Sequence, residues 1–345
     1  MSLFTQLKLA AAKFGQEMLD LSRCVDASHP DCEQGERLFK LEKFAEAEEC
    51  FLKAASDMKS RSAPAAVQVS VLLALARTQL KLIKVQEARE TSQSAYELLK
   101  PHRPSLELSV CLDLRGCIEQ LEGDGAGAIR LFREALDIQL SVVPLDPVLL
   151  LESYERLASA LQNADELSEA SEVLTRAAEV AEKHFGSMSP ALANCLINLG
   201  TCQFTFGNLK AGIRSTERAI EIHREMAGPM SEQVVHDFQS IAAACQQAGD
   251  LDGAVRYYER AISIRERQVG GSPGDMAVLL MRLAEAHSLL GNDAAVTELL
   301  QSAVGKLATG NDARLAEALE RLNEHYARQG RPAETVSLER RVESR

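Results

Sequence analysis

Apolar residues along this chain recur at three- and four-residue spacing, and no unit shows the strict alternation, bounded by turns, of a half-buried strand. The pattern predicts helices. A longer period is laid over the helical one. The small residues Gly35, Ala76, Gly116, Ala158, Gly200, Ala242 and Ala284 are separated by 41, 40, 42, 42, 42 and 42 positions. Nineteen residues beyond each stands an alanine: Ala54, Ala95, Ala135, Ala177, Ala219, Ala261 and Ala303. Twelve residues beyond each stands Ala47, Ala88, Ala128, Ala170, Gly212, Ala254 or Val296. Seven residues beyond, a glycine recurs in most of the later units: Gly123, Gly207, Gly249 and Gly291. Tyr326 and Gly330 keep step in a degraded eighth unit.

Three small residues in one register have a packing cause. Helices that cross closely need small side chains at the contact. The recurrent glycine stands where a first helix would end in a left-handed residue. Gly207-Asn208, Gly249-Asp250 and Gly291-Asn292 pair that stop with an N-cap side chain for a second helix. Each unit is thus predicted to be a helical hairpin, an A helix followed by a B helix.

These residues resemble the tetratricopeptide repeat. Unit one carries Gly35, Ala47-x3-Phe51 and Ala54; unit three carries Gly116, Ala128-x3-Phe132 and Ala135. Unit five has Leu199-Gly200 and Ala219, and unit six has Ala254-x3-Tyr258 and Ala261. The common repeat has about 34 residues, whereas the spacing here is about 42, with a longer B helix and linker. That longer form, with its small-Pro linkers at Phe185-Gly186-Ser187-Met188-Ser189-Pro190 and Val269-Gly270-Gly271-Ser272-Pro273, is similar to the repeats of kinesin light chain. Only about 27 residues precede unit one, with no long heptad segment, so the expectation is a relative in repeat type rather than a light chain.

The resemblance implies an all-α fold, a right-handed superhelical solenoid of about seven to eight hairpins forming one continuous domain. The units fall near 29–68, 69–108, 109–150, 151–192, 193–234, 235–276, 277–315 and 316–345. Before them, residues 1–28 read as an amphipathic capping helix, with Leu3, Leu7, Phe14, Met18 and Leu21 at helical spacing. The same stretch has Lys8 and Lys13 with no acid before Glu17, as a mitochondrial presequence would, so a cytoplasmic location is the expectation and a mitochondrial one stays open.

Charge narrows the partners. There are 38 basic and 50 acidic residues, a net of −12. Neither half has the basic footprint of a nucleic-acid binder or of a protein drawn to anionic membranes. No apolar run approaches the roughly 20 residues of a membrane span. The eight cysteines do not have the spacing of a disulfide scaffold, and they read as buried thiols. His29 and Cys32, with Cys24 nearby, lack a fourth ligand, so no metal is expected. No phosphate loop, nucleophile elbow or metalloprotease motif occurs. The expectation is a non-enzyme without a cofactor.

In the repeat family the A helices line a concave groove that takes peptides or partner helices. With the small residue counted as position 8, positions 2, 5, 6, 9 and 13 face inward. The candidate contacts on this basis are Arg156, Asn163, Asn194, Asn198, Thr201, His236, Gln239, Ser240 and Arg282. Asn194 and Asn198 are four apart and share a helix face. Amide side chains donate and accept together, which suits clamping an extended peptide backbone. Asn198 matches an asparagine that peptide-binding members of the family often carry. The same positions in units two and three, such as Leu73, Ala74, Val110 and Leu114, predict an apolar groove for a partner helix. The Lys/Asn/Arg pattern that would hold a C-terminal carboxylate is absent from units one to three. The expected role is a scaffold or adaptor that binds a protein or peptide in the groove. The alternatives are a subunit of a larger assembly held by its convex faces or ends, and a peptide-sensing regulatory module.

Overall fold

The computed structural model describes residues 29–101, 104–142, 144–268, 270–308 and 313–331. The expected capping helix at 1–28 lies outside the described residues. Among the described residues there are fifteen α-helices and no strand. The chain divides into two compact units, Met1–Val180 and Ala181–Arg345.

The N-terminal unit contains α1 (Pro30–Lys40), α2 (Phe44–Ser60), α3 (Ala65–Lys81), α4 (Val85–Leu99), α5 (Leu106–Glu122), α6 (Gly125–Ser141) and α7 (Pro147–Asn163). The division falls within α8 (Leu167–Phe185). The C-terminal unit goes on through α9 (Pro190–Thr205), α10 (Leu209–Ala227), α11 (Glu232–Gln247), α12 (Leu251–Arg267), α13 (Pro273–Leu289), α14 (Asp293–Ala308) and α15 (Leu315–Arg328). Odd helices pack against the even helices that follow them, α1 on α2, α3 on α4 and α5 on α6 in the first unit and α9 on α10, α11 on α12 and α13 on α14 in the second, so odd helices are the A helices and even ones the B helices.

The recurrent small residue is required by what it faces. At Gly35 a β-carbon would stand 2.8 Å from the Phe51 ring, and at Gly116 one would stand 2.6 Å from the Phe132 ring. Both rings are fully buried. The phenylalanine of the B helix thus occupies the volume that the glycine of the A helix vacates, at the density that protein interiors demand.

The hairpin turn is more regular than its sequence. The residue seven places after the small one has positive φ in all seven units. Gly123, Gly207, Gly249 and Gly291 lie at φ 92°, 80°, 80° and 74°. Glu42, Ile83 and Asp165 hold the same place at 59°, 62° and 63°. The next residue then starts the B helix. Asp124 accepts from the backbone N–H of Gly127 at 2.8 Å, and Asp250 from that of Gly253 at 3.0 Å. Asn208 and Asn292 do the same for Ala211 and Ala295. Four of the A helices open with proline in the first turn behind a capping side chain, at His29-Pro30, Asp146-Pro147, Ser189-Pro190 and Ser272-Pro273. Among the described residues, no helix is long and apolar enough to cross a membrane.

Candidate protein-interaction face

The two units treat the inner register of their A helices in opposite ways. On α3 and α5 of the N-terminal unit it is sealed. Positions 2, 5, 6 and 9 of α3 are Ser70, Leu73, Ala74 and Arg77, and all are buried. Those of α5 are Val110, Asp113, Leu114 and Cys117, again all buried. The open apolar groove expected for units two and three is therefore not present. Helices α3 and α5 pack on each other across this register and consume its apolar surface.

Charges inside that seam are neutralised in place, as burial requires. Arg77 is 1% exposed, donates to Glu36 at 2.6 Å and stacks on the Phe39 ring with its guanidinium carbon 3.8 Å from the centroid. Asp113 is fully buried and accepts from the Ser153 hydroxyl at 2.7 Å and from Arg156 at 3.3 Å. Gln139 donates to Ser153 at 2.8 Å, and Arg156 also donates to Glu152 at 3.0 Å. Burial pushes the Asp113 carboxyl up to about 6, with Arg156 and the Ser153 hydroxyl pulling the other way. Arg156, expected as a groove contact, is thus an internal counter-ion. Sequence spacing placed it on the right helix, but its partner Asp113 lies forty-three positions away, and the pairing draws the guanidinium inside. Asn163, at the end of α7, is exposed.

The C-terminal unit leaves the same register open. On α9, Asn194 and Thr201 are exposed and Asn198 is half-buried. On α11, His236 is exposed while Gln239 and Ser240 are half-buried. Helices α9 and α11 contact one another, so the two rows are neighbours. The hydroxyls of Thr201 and Ser240 donate to carbonyls one turn back, at 2.9 and 3.1 Å, which leaves oxygen lone pairs facing outward. On α13, Arg282 is exposed and reaches Glu285 at 3.4 Å; Glu285 in turn lies 3.8 Å from Arg321 on α15. Beside this chain lies a cleft of about 400 Å³ between α13, α14 and α15, with Met281, Leu289 and Val296 on its apolar side and Arg321, His325 and Arg328 on its polar side. Sequence analysis missed the α15 contribution. The signal was the in-step Tyr326, which fixes α15 as an eighth A helix.

Other chemistry is sparse. Seven described cysteines are buried thiols that belong to no disulfide. Burial pushes the thiols of Cys111 and Cys117 up to about 12 and that of Cys245 up to about 11, which keeps them protonated and inert. No group of metal-binding side chains occurs among the described residues. His29 lies 3.1 Å from Asp57 and its ring caps α1 through the Asp31 N–H.

Paired helices repeated in register define a helical-repeat protein. A tetratricopeptide-repeat family model matches residues 149–225, and a second matches residues 239–273. Over these residues the chain carries tetratricopeptide repeats, and their fold suggests in general a scaffold for other proteins. Among solved structures it is similar to the apo form of RapI, at 11% identity and a TM-score of 0.62 over 99% of this chain and 95% of that one. It is also similar to BtubC (BKLC) from P. vanneervenii, at 21% identity and a TM-score of 0.50, covering 70% of this chain and 92% of that one. A third match is to the nearly identical TPR-like repeats of a putative kinesin light chain of Podosopora anserina, at 20% identity and a TM-score of 0.46 over 56% and 93%. A search of curated protein sequences returns no match.

Proposed function

We propose that this protein is a non-catalytic adaptor that binds an extended peptide of a partner along the A-helix face of its C-terminal unit. The observation that supports this is the contrast in exposure at one register: buried in α3 and α5, open in α9 and α11. A surface that could have been sealed, and is sealed elsewhere in the chain, is here kept polar. Asn194, Asn198 and Gln239 act as clamps on the peptide backbone, each able to pair with an N–H and a C=O at once. Thr201, His236, Ser240 and Arg282 border the track and select side chains.

The test uses a phage-displayed peptide library panned on the full chain. The affinity of a selected peptide is then compared with that for Asn194→Ala/Asn198→Ala/Gln239→Ala. Each neutral hydrogen bond contributes about 0.5–1.5 kcal/mol, so losing three weakens binding about ten- to a thousand-fold at about 1.4 kcal/mol per decade. An unchanged affinity, with circular dichroism intact, would assign partner binding to other surfaces and favour the assembly-subunit role.

A further inference from the structure

A second hollow lies in the C-terminal unit, between the B helices α10 and α12. It encloses about 610 Å³. Its floor is apolar, made by Ile220, Phe238 and Ile264, all buried. The α10–α11 linker walls it with Pro229 and with Met230, which is 39% exposed.

Over this floor stand Arg224, Arg260 and Arg267. The Arg224 guanidinium lies 5.5 Å from the Phe238 ring centroid. That of Arg260 lies 5.9 Å from the same ring and 5.2 Å from the Tyr257 ring. Neighbouring arginines are committed: Arg218 to Glu182, Arg265 to Glu232 and Arg282 to Glu285. Arg224, Arg260 and Arg267 make no ion pair or hydrogen bond among the described residues. Two acids line the α10 side. Glu217 is occupied, accepting from the Tyr257 hydroxyl at 2.9 Å, whereas Glu221 faces the cleft as a counterweight.

Two guanidiniums held by one aromatic ring are ordered before any ligand arrives, which lowers the entropy cost of forming carboxylate pairs. In a protein of net charge −12, such a cluster is a local reversal of sign, and its complement is an anion. The apolar floor adds a place for one hydrophobic side chain. We propose that the α10–α12 cleft docks an acidic segment of a partner protein, with carboxylates on Arg224, Arg260 and Arg267 and an apolar residue of the same segment on Phe238 and Ile264. This site is formed by B helices and is independent of the amide track on α9 and α11.

The probe is a short fluorescein-labelled peptide in which aspartates and glutamates flank a leucine, titrated into the full chain by anisotropy. Arg260→Gln/Arg267→Gln should weaken binding about ten-fold or more. A control of equal charge change, Arg214→Gln/Arg256→Gln, alters exposed arginines of the same helices that lie outside the cleft, and should change binding less than about three-fold. Glu221→Gln should tighten it, and Asn194→Ala/Asn198→Ala/Gln239→Ala should leave it unchanged. Equal losses in the cleft variant and the control would reduce the effect to general electrostatics and overturn the proposal. So would a leucine-to-serine peptide binding as well as the parent, or a cleft variant that binds normally but breaks up a self-associated form of the chain. Loss confined to the amide-track variant would place the peptide in the other site and likewise defeat it.

Discussion

Replacing Gly116 and Gly305 by alanine makes one substitution in two helices, with opposite expected signs. Helix propensity alone favours both changes by about 1 kcal/mol. At Gly305, within α14, a new β-carbon meets nothing within 4 Å, so the full gain of about 1 kcal/mol should appear. At Gly116, within α5, the β-carbon would stand 2.6 Å from Cε1 and 2.9 Å from Cδ1 of Phe132. Carbon atoms rest at about 3.5–4.0 Å, so ring or helix must yield by close to an ångström. Phe132 is fully buried and has no solvent to move into. Overpacking of this kind costs about 1–3 kcal/mol. After the propensity gain, Gly116→Ala should be neutral to about 2 kcal/mol destabilising. Phe132→Leu should relieve the clash, so the double variant should be more stable than the sum of the two singles predicts. The assay is native-state hydrogen exchange, which reads each hairpin separately where a repeat array need not unfold as one. Faster exchange in α5 and α6 for Gly116→Ala, beside slower exchange in α14 for Gly305→Ala, is the expected result. If Gly116→Ala stabilises its hairpin as Gly305→Ala does, the glycine–phenylalanine account of the repeat is wrong.

Ile83→Gly should stabilise the α3–α4 turn by about 1 kcal/mol in the same exchange assay, because a β-branched residue at φ 62° is strained where four other units have glycine; no gain would mean that Ile83 makes offsetting contacts. Asp113 should take up a proton near pH 6 in the folded chain, whereas an unfolded aspartate does so near about pH 4. The folded state binds the extra proton in that window, so the contribution of Asp113 to stability rises as pH falls from about 6 to about 4. Wild type should thus gain on Asp113→Asn over that range, and parallel pH profiles would refute the burial effect. The seven buried cysteines should resist an aromatic disulfide reagent at neutral pH until denaturant is added, and rapid modification of Cys111 or Cys117 in the native protein would contradict their burial.

The hairpins were legible because their signal is local and repeated. A small residue, a glycine stop and an acidic or amide cap recur within about twenty positions, each with its own steric cause. Ile83 shows where that legibility ends. Nothing in isoleucine announces a left-handed turn; the register of six neighbours imposes it. Arg156 shows a second limit. Helical spacing gave its face, but whether that face is open depends on the adjacent A helix, and Asp113 lies a full repeat away. At the same register of α9 and α11, Asn194 is exposed and Asn198 and Gln239 are half-buried. The arginine cluster at the α10–α12 cleft was invisible for the same reason. Arg224, Arg260 and Arg267 come from two helices and look like ordinary surface charges until Phe238 is seen beneath the first two.

Amide side chains of α9 and α11 are proposed to grip a partner's peptide backbone. The most direct measurement is the nuclear magnetic resonance spectrum of the full chain's side-chain amides as a library-selected peptide is titrated in. The Asn194, Asn198 and Gln239 amide protons should shift and broaden together, saturating with the binding curve, while Gln93 on α4, exposed and outside this face, stays still. Saturable binding that leaves those three amides unmoved would contradict it.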